Sequence, residues 1–202
     1  MGEIRKDYVL ERSVIVSQKT KKIPAHKKCP YCPGNESMTN PSLLSLVAKD
    51  GMLQRLQDDE DNFVKNWSVR VFESSNPAVS TSAENSYSDR PLYSEPAYGY
   101  HYVVVASPKH NESLSTIDTE QWSNVLVVIQ DRLRWLYTQR GVSYVSIFVN
   151  HGKEAGSTVD HAHINIVSFS NTPPIIEAES ESSHRLLNEK GVCPMCQAVN
   201  TE

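Results

Sequence analysis

A loop rich in glycine, followed by an alternating segment with two histidines, constrains the fold of this chain more than any other stretch. It covers residues 150–169 and reads NHGKEAGSTVDHAHINIVSF. From Asp160 onward the alternation predicts a β-strand, whose side chains two apart share one face. That face carries His161, His163 and Asn165. Two imidazoles and an amide are therefore expected to point in the same direction.

The loop before this strand decides between two interpretations. Histidines on an amphipathic strand are often half-buried surface residues without any chemistry. Here, however, Gly152 and Gly156 permit close approach of the backbone to a ligand, and Ser157 and Thr158 offer amides and hydroxyls to phosphate oxygens. A donor-rich loop leading into a histidine strand indicates phosphoryl or nucleotidyl chemistry.

The four cysteines form two Cys-x-x-Cys pairs, Cys29 with Cys32 and Cys193 with Cys196. No apolar run approaches the roughly 20 residues of a membrane span, and the N-terminus lacks the apolar core of a secretory signal. We therefore expect a cytoplasmic protein that makes no membrane contact. In that compartment the spacing indicates metal or redox chemistry rather than structural disulfides, and zinc is the first expectation.

Length and charge limit the remaining classes. The chain has 202 residues, enough to bury a real core, and a net charge of −4. No excess of positive charge marks a nucleic-acid partner, so a polyanionic ligand would be held by local donors.

The periodicity of the sequence predicts an α+β fold with a mainly antiparallel sheet. Alternating segments occur at 67–72, 98–106 and 142–149. The clearest helix begins after Asp118 or Thr119, and Gly141 stands where a C-terminal cap is expected. Its apolar residues recur at spacings of three and four, namely Trp122, Val125, Ile129, Leu133 and Leu136. Residues 41–47 are expected to be helical, 58–61 a solvated acidic loop, and 81–96 a long loop.

In combination, these motifs resemble the histidine-triad superfamily, and more closely its galactose-1-phosphate uridylyltransferase-like branch. That branch carries an early Cys-x-x-Cys, a strand ending in Pro-x-His, and an Asn-x-Gly-x-x-x-Gly loop running into His-x-His. Here these are Cys29 with Cys32, Pro108 to His110, and residues 150–163. The resemblance covers most of residues 1–172. The uridylyltransferases consist of two repeated halves, and this chain resembles the N-terminal half only.

The resemblance implies a histidine-triad-like domain over 1–175, with a half-barrel type of antiparallel sheet, one long amphipathic helix and a zinc knuckle. A polar extension over 176–202 would carry the second cysteine pair. That pair would form a second metal site with borrowed ligands, such as His184 or residues of a partner subunit, or be a vestige. Since the two-half enzymes complete each active site with the neighbouring subunit, we expect a homodimer.

The resemblance also assigns roles to individual residues. His163 matches the nucleophile that attacks the α-phosphorus of a nucleoside diphosphate sugar and becomes a nucleotidyl-histidine. The implied ligands of one structural zinc are Cys29, Cys32, His110 and His161. The implied phosphate-binding residues are Asn150, Gly156, Ser157 and Thr158.

Two departures from the branch concern specificity. Asn165 stands where the uridylyltransferases have glutamine and the hydrolysing triad proteins have histidine. Asparagine keeps the amide donor but is one methylene shorter. The early arginines of the branch are absent, and lysines 19, 21 and 22 do not reproduce a guanidinium fork.

The function implied is transfer of a nucleoside monophosphate from a nucleoside diphosphate sugar to a sugar 1-phosphate, as in the UDP-glucose–hexose-1-phosphate uridylyltransferases of galactose metabolism. One alternative is a phosphorylase or hydrolase of ADP-sugars or dinucleoside polyphosphates. Another is a non-catalytic, zinc-stabilised nucleotide-binding module, in which the two cysteine pairs make a single Cys₄ site.

Overall fold

The computed structural model describes residues 2–10, 12–17, 28–49, 51–59, 62–83 and 93–201. The basic loop with lysines 19, 21 and 22 lies outside these ranges. Residues 60–61 of the expected acidic loop and 84–92 of the expected long loop lie outside them as well.

Strands and helices follow one another along the described chain in a mixed order. They are β1 (Gly2–Lys6), β2 (Ser13–Ser17), β3 (Ser42–Lys49), β4 (Met52–Leu56), β5 (Trp67–Glu73), β6 (Ser94–Pro96), β7 (His101–Val105), α1 (Thr119–Leu136), β8 (Tyr144–Phe148), β9 (His163–Phe169), α2 (Pro174–Lys190) and α3 (Pro194–Thr201). Single 3₁₀ turns occur at Glu36–Met38 and Lys153–Ala155.

The strands form two sheets, and in both of them neighbouring strands run antiparallel to one another. The larger sheet has six strands in the order β4-β3-β5-β7-β9-β8, and the smaller has three in the order β2-β1-β6. The predicted α+β fold with a mainly antiparallel sheet is therefore confirmed. β9, the predicted histidine strand, lies between β7 and β8, so that its backbone is paired on both sides.

Helix α1 covers one face of the six-stranded sheet. Asp118 is its N-cap, and the carboxylate accepts the N–H of Gln121 at 2.8 Å. Val125, Val128 and Leu136 are buried against the sheet residues Ile164 and Ile166. The prediction that Gly141 caps this helix is wrong, because the helix ends at Leu136 and Tyr137 is the C-cap.

The opposite face of the sheet carries the candidate site. Ile164 and Ile166 pack toward α1, so His163 and Asn165 project from the other face, opposite Val105 and Val103 of β7. Val103 and Val105 join a second apolar cluster with Val47, Trp67 and Phe72, against which Tyr31 packs. The segment containing Tyr31 therefore covers this face beside the histidine strand.

The prediction of a helix over 41–47 is wrong, because these residues belong to β3. The strand pairs with β4 on one side and β5 on the other. Leu44, Leu46 and Val47 are all buried, and the register with β5 shifts twice, so the side chains do not alternate simply. A short apolar run with spacing of this kind fits a helix as well as an irregular strand, and pairing with distant strands decides the outcome.

The expectation of a solvated acidic loop is wrong for Asp58. Its side chain is buried and forms a 2.6 Å ion pair with Arg70, which is also buried. Asp58 Oδ1 and Oδ2 also accept the N–H groups of Val64 and Ser42, each at 2.8 Å. Burial opposes ionisation of Asp58, but these amides and Arg70 outweigh it and lower the pKa of the carboxyl. This network fastens the segment after β4 to β3 and β5.

Helices α2 and α3 follow the sheet domain and contain no buried residue. α2 extends over 17 residues, most of them in the expected polar extension over 176–202. Pro174 begins it and Gly191 ends it in the left-handed region at φ 66°. None of the helices in the described ranges has the length and apolarity that crossing a bilayer requires.

The buried ion pair gives a test of the fold. Asp58→Ala leaves the Arg70 guanidinium without its counter-charge, so we expect the free energy of unfolding in urea to fall by about 3–5 kcal/mol. The control is Arg55→Ala, which removes an exposed side chain that forms a 3.5 Å ion pair with Asp131. This change should lower the free energy of unfolding by less than about 1 kcal/mol. Equal losses in the two variants would contradict a special role for Asp58.

Candidate active site

The first cysteine pair lies in a turn held by short-range hydrogen bonds. Asn35 donates its side-chain amide to the Cys29 carbonyl at 2.8 Å and its backbone N–H to the Cys32 carbonyl at 3.1 Å. We refer to residues 28–35 as the knuckle. Its turn brings both sulfurs to the same side of the chain.

Glu36 fastens the knuckle to the sheet. Its carboxylate accepts the Gly34 N–H at 3.1 Å, the Lys65 ammonium at 2.7 Å and the Trp67 indole N–H at 3.2 Å. The residue is only 2% exposed. Burial opposes its ionisation, but Lys65 and the N–H donors prevail and lower the pKa of Glu36 from 4.5 to about 2.

Four potential metal ligands meet where the knuckle contacts the histidine strand. The ligand atoms of Cys29, Cys32, His110 and His161 all lie within 4.8 Å of one another. Cys32 Sγ is 3.5 Å from His110 Nδ1 and 3.6 Å from His161 Nδ1, and Cys29 Sγ is also 3.6 Å from His161 Nδ1. These four residues, predicted as one ligand set, could hold a metal ion. Elsewhere in the described chain, Cys193 and Cys196 meet no third ligand of this kind.

A backbone carbonyl fixes the orientation of the His161 ring. Its Nε2 is 2.7 Å from the Ser107 carbonyl oxygen, which can only accept, so Nε2 carries the hydrogen. Nδ1 is then the nitrogen with the free lone pair, and it faces the two sulfurs. A backbone carbonyl on the far nitrogen is the usual support for a metal-binding histidine.

The same logic fixes the tautomer of His163. Its Nδ1 is 2.7 Å from the carbonyl oxygen of His161, so Nδ1 donates and Nε2 is left unprotonated in the neutral ring. The residue is 9% exposed, and this burial lowers the pKa of His163 below its ordinary value. His163 is therefore held as a neutral imidazole with a defined nucleophilic nitrogen.

Tyr31, between the two knuckle cysteines, contacts the histidine pair directly. Its ring meets the rings of His163 and His161 edge-on, with centroids 5.3 and 6.3 Å apart, and it also packs on Phe72. The position of the knuckle thus determines one wall of the space around His163. The sequence does not reveal this role, since a tyrosine between two cysteines has no distinct pattern.

A cavity of about 640 Å³ lies beside His163. It is lined by all of the predicted substrate-binding residues, which are Asn150, Gly156, Ser157, Thr158 and Asn165. Ser74, Asn76 and His101 also line it and were missed by the sequence analysis. A smaller cavity of about 260 Å³ adjoins His163, His110 and His151.

Two amides of the glycine-rich loop are engaged within the loop. Gly156 N–H donates to the Lys153 carbonyl at 3.0 Å, and Ser157 N–H donates to the Gly152 carbonyl at 3.1 Å. The Ser157 hydroxyl donates to the Val159 carbonyl at 3.0 Å. Gly152 and Gly156 both have positive φ, which shapes the loop around the cavity.

The comparison that decides the family covers most of the chain. Residues 8–173 match the family "Galactose-1-phosphate uridyl transferase, N-terminal domain". The chain belongs to this family. The predicted membership of the galactose-1-phosphate uridylyltransferase-like branch, as its N-terminal half, is confirmed.

Two curated relatives of this uridyl transferase family carry different names. ADP-glucose phosphorylase of Arabidopsis thaliana is 27% identical over an alignment of 212 residues, which covers 97% of this chain and 56% of that protein. Galactose-1-phosphate uridylyltransferase of Thermotoga maritima is 28% identical over 205 residues, which cover 100% and 57%. The chain therefore spans little more than half the length of the relatives it matches.

Solved structures agree in fold. A structure described as that of a uridylyltransferase matches with a TM-score of 0.74 over 99% of this chain and 56% of the other, at 24% identity. The crystal structure of an ADP-glucose phosphorylase from Arabidopsis thaliana with bound ADP-glucose matches with a TM-score of 0.67 at 27% identity, over 98% of this chain and 58% of the other.

The Glu36 contacts predict acid sensitivity of the knuckle. Because the pKa of Glu36 is about 2 in the folded protein and 4.5 ordinarily, its stabilising effect is complete above pH 4.5 and is lost as the pH falls toward 2. Glu36→Gln should lower the free energy of unfolding by about 1.5–3 kcal/mol at pH 7.

The difference between wild type and Glu36→Gln should shrink as the pH is lowered from 6 to 3 in urea titrations. Both proteins keep the same four potential metal ligands, so their difference isolates Glu36. Glu120→Gln, on the exposed start of α1, is the control. A difference that stays constant over this range would rule out the assigned ionisation.

Proposed function

We propose that this chain transfers a nucleoside monophosphate from a nucleoside diphosphate sugar to an acceptor phosphate through a covalent nucleotidyl-His163. The observation that carries the proposal is the fixed tautomer of His163, whose unprotonated Nε2 belongs to a ring that lines the cavity. A neutral imidazole is a competent nucleophile at neutral pH without a further base.

The steps follow from the contacts of His163. The Nε2 lone pair attacks the α-phosphorus, a P–N bond forms, and the bond from phosphorus to the bridging oxygen breaks. The sugar 1-phosphate leaves with that electron pair. An oxygen of the acceptor phosphate then attacks the same phosphorus, and the P–N bond breaks to restore neutral His163. While the adduct exists the ring is positively charged, and the His161 carbonyl at Nδ1 stabilises that charge.

Asn150, Thr158 and Asn165 are proposed to hold the phosphates. All three line the cavity with His163. Gly156 and Ser157 would contribute by shaping the loop, because their amides bond within it, and the Ser157 hydroxyl would exchange the Val159 carbonyl for a phosphate oxygen. Neutral donors fixed before the substrate arrives stabilise charge that develops on the phosphoryl oxygens.

The ion at the four-ligand cluster is proposed to be zinc. Bond lengths of about 2.3 Å to sulfur and 2.0–2.1 Å to nitrogen, at the tetrahedral angle, place the two ligand atoms about 3.6 Å apart. The three sulfur–nitrogen distances of 3.5, 3.6 and 3.6 Å fit that separation. Four protein ligands complete a tetrahedral set, so the ion would fasten the knuckle to the histidine strand as a structural support.

A phosphorylase is the second candidate, and the relative named ADP-glucose phosphorylase supports it. The half-reaction at His163 would be the same, and only the acceptor would differ, with orthophosphate replacing a sugar 1-phosphate.

A homodimer is also proposed, because β8 is an edge strand with exposed Ile147 and Phe148 that a second copy would cover. Sedimentation velocity would show a monomer if this is incorrect.

The covalent intermediate is tested by intact-protein mass spectrometry. Zinc-loaded protein is mixed with UDP-glucose or ADP-glucose and quenched without acid, because a phosphoramidate is acid-labile. We expect a mass gain of one nucleoside monophosphate, whose size identifies the base. His163→Ala should show no gain, whereas His184→Ala, which changes an exposed histidine of α2, should retain it. A folded, metal-replete wild type without any adduct would refute the transferase and the phosphorylase alike.

The metal assignment is tested by stoichiometry. We expect one zinc per chain, lost in Cys32→Ser and kept in Cys193→Ser, when both are measured by elemental analysis after gel filtration. The pair is matched, since each variant replaces one cysteine of a Cys-x-x-Cys. Loss of the ion from both variants would favour the alternative Cys₄ binding module.

A further inference from the structure

His101 is a half-buried polar residue that the proposed chemistry does not use. It lies in β7 on the same face as Val103, and Val103 is the register partner of Asn165 in β9. His101 and Asn165 are therefore diagonal neighbours on the face that carries His163, a relation in which longer side chains reach one another.

The two hydrogen bonds of His101 are consistent with only one tautomer of its ring. Its Nδ1 is 3.1 Å from the backbone nitrogen of Ala78, which can only donate. Nδ1 therefore carries the lone pair, and in the neutral ring Nε2 carries the hydrogen. Nε2 lies 3.1 Å from Asn165 Oδ1, so His101 donates to that oxygen. Burial lowers the pKa of His101, which agrees with a neutral ring.

This bond decides which way the Asn165 amide faces. With Oδ1 held by the imidazole N–H, the Nδ2 group is the free end of the amide. Asn165 is 8% exposed and lines the cavity with His163, and its Nδ2 has no partner among the residues that the structure describes. A rotated amide would place its NH₂ against the imidazole N–H and its carbonyl oxygen toward a phosphate, so both contacts would be repulsive.

We propose that His101 is a positioning residue, which orients Asn165 so that Nδ2 donates to a phosphoryl oxygen of the nucleotide beside His163. The inference rests on the proposed nucleotidyl transfer. It identifies the residue that orients one of its phosphate-binding donors, Asn165 Nδ2. Because His101 fixes this donor before the substrate binds, Asn165 would need no reorientation when it meets the phosphate.

Two variants of His101 separate positioning from a structural role. The side-chain oxygen of asparagine can replace Nδ1, so His101→Asn keeps the bond to Ala78 but cannot reach Asn165. The amide nitrogen of glutamine can replace Nε2, so His101→Gln keeps the donation to Asn165 and gives up Ala78. A residue that only anchors the chain at Ala78 would tolerate asparagine and not glutamine. A positioning residue has the opposite preference.

The first measurement is the single-turnover rate of adduct formation with UDP-glucose and with ADP-glucose, with thermal unfolding recorded for every variant. We expect His101→Asn to be about 10–100-fold slower than wild type, somewhat less than the loss of a donor outright. His101→Gln should retain most of the rate. His101→Asn combined with Asn165→Ala should be no slower than Asn165→Ala alone, because both changes remove the same contact, the one from Asn165 Nδ2 to the phosphoryl oxygen.

The second measurement is the dissociation constant of the same nucleotide sugars in a His163→Ala background, where no chemistry occurs. Weaker binding with His101→Asn than with His101→Gln supports the proposal. Equal rates for His101→Asn and wild type, or the reverse preference, would overturn it and leave the nucleotidyl-histidine in place. A wild type that forms no adduct while His163→Ala binds neither sugar would overturn both proposals together.

Discussion

The meeting of Cys29, Cys32, His110 and His161 is the constraint on which the rest of the site depends. The four residues come from three segments that are far apart in sequence, namely the knuckle, the chain after β7 and the residues just before the histidine strand. Tyr31 lies between the two cysteines, so its ring against His163 is positioned by the same cluster. A bound ion would thus hold one wall of the cavity beside His163.

Backbone groups determine the tautomers of three histidines around this cluster. Ser107 and His161 contribute carbonyls, which can only accept, and Ala78 contributes an N–H, which can only donate. Side-chain partners could rotate or change protonation, whereas a backbone carbonyl stays an acceptor and a backbone N–H stays a donor. All three backbone groups lie outside the strands, in the segments that follow β5 and β7 and in the segment that precedes β9.

Local pattern predicted the parts of the site that are contiguous in sequence. Alternation placed His163 and Asn165 on one face, and the glycine spacing indicated the loop that borders the cavity. The α+β class followed from the same periodicities. The failures occurred where distant pairing decides the structure. β3 has helix-compatible leucine spacing, and Asp58 is buried where it meets Arg70 and the amides of Ser42 and Val64. His101 has no signal in sequence, because its function depends on neighbours at 78 and 165.

The proposed reaction would change the charge of the site around His163. Among the described residues, no lysine or arginine lines either cavity around His163, so phosphates in the larger cavity would be met by neutral donors and by the imidazole of His163. The acidic residues Glu112 and Asp160 line the smaller cavity. In the proposed reaction, positive charge appears on the His163 ring when the P–N bond forms. At that moment the His161 carbonyl and the transferred phosphoryl group both stabilise it. Interactions that strengthen as the reaction proceeds accelerate the chemical step, whereas those equally strong with the substrate do not.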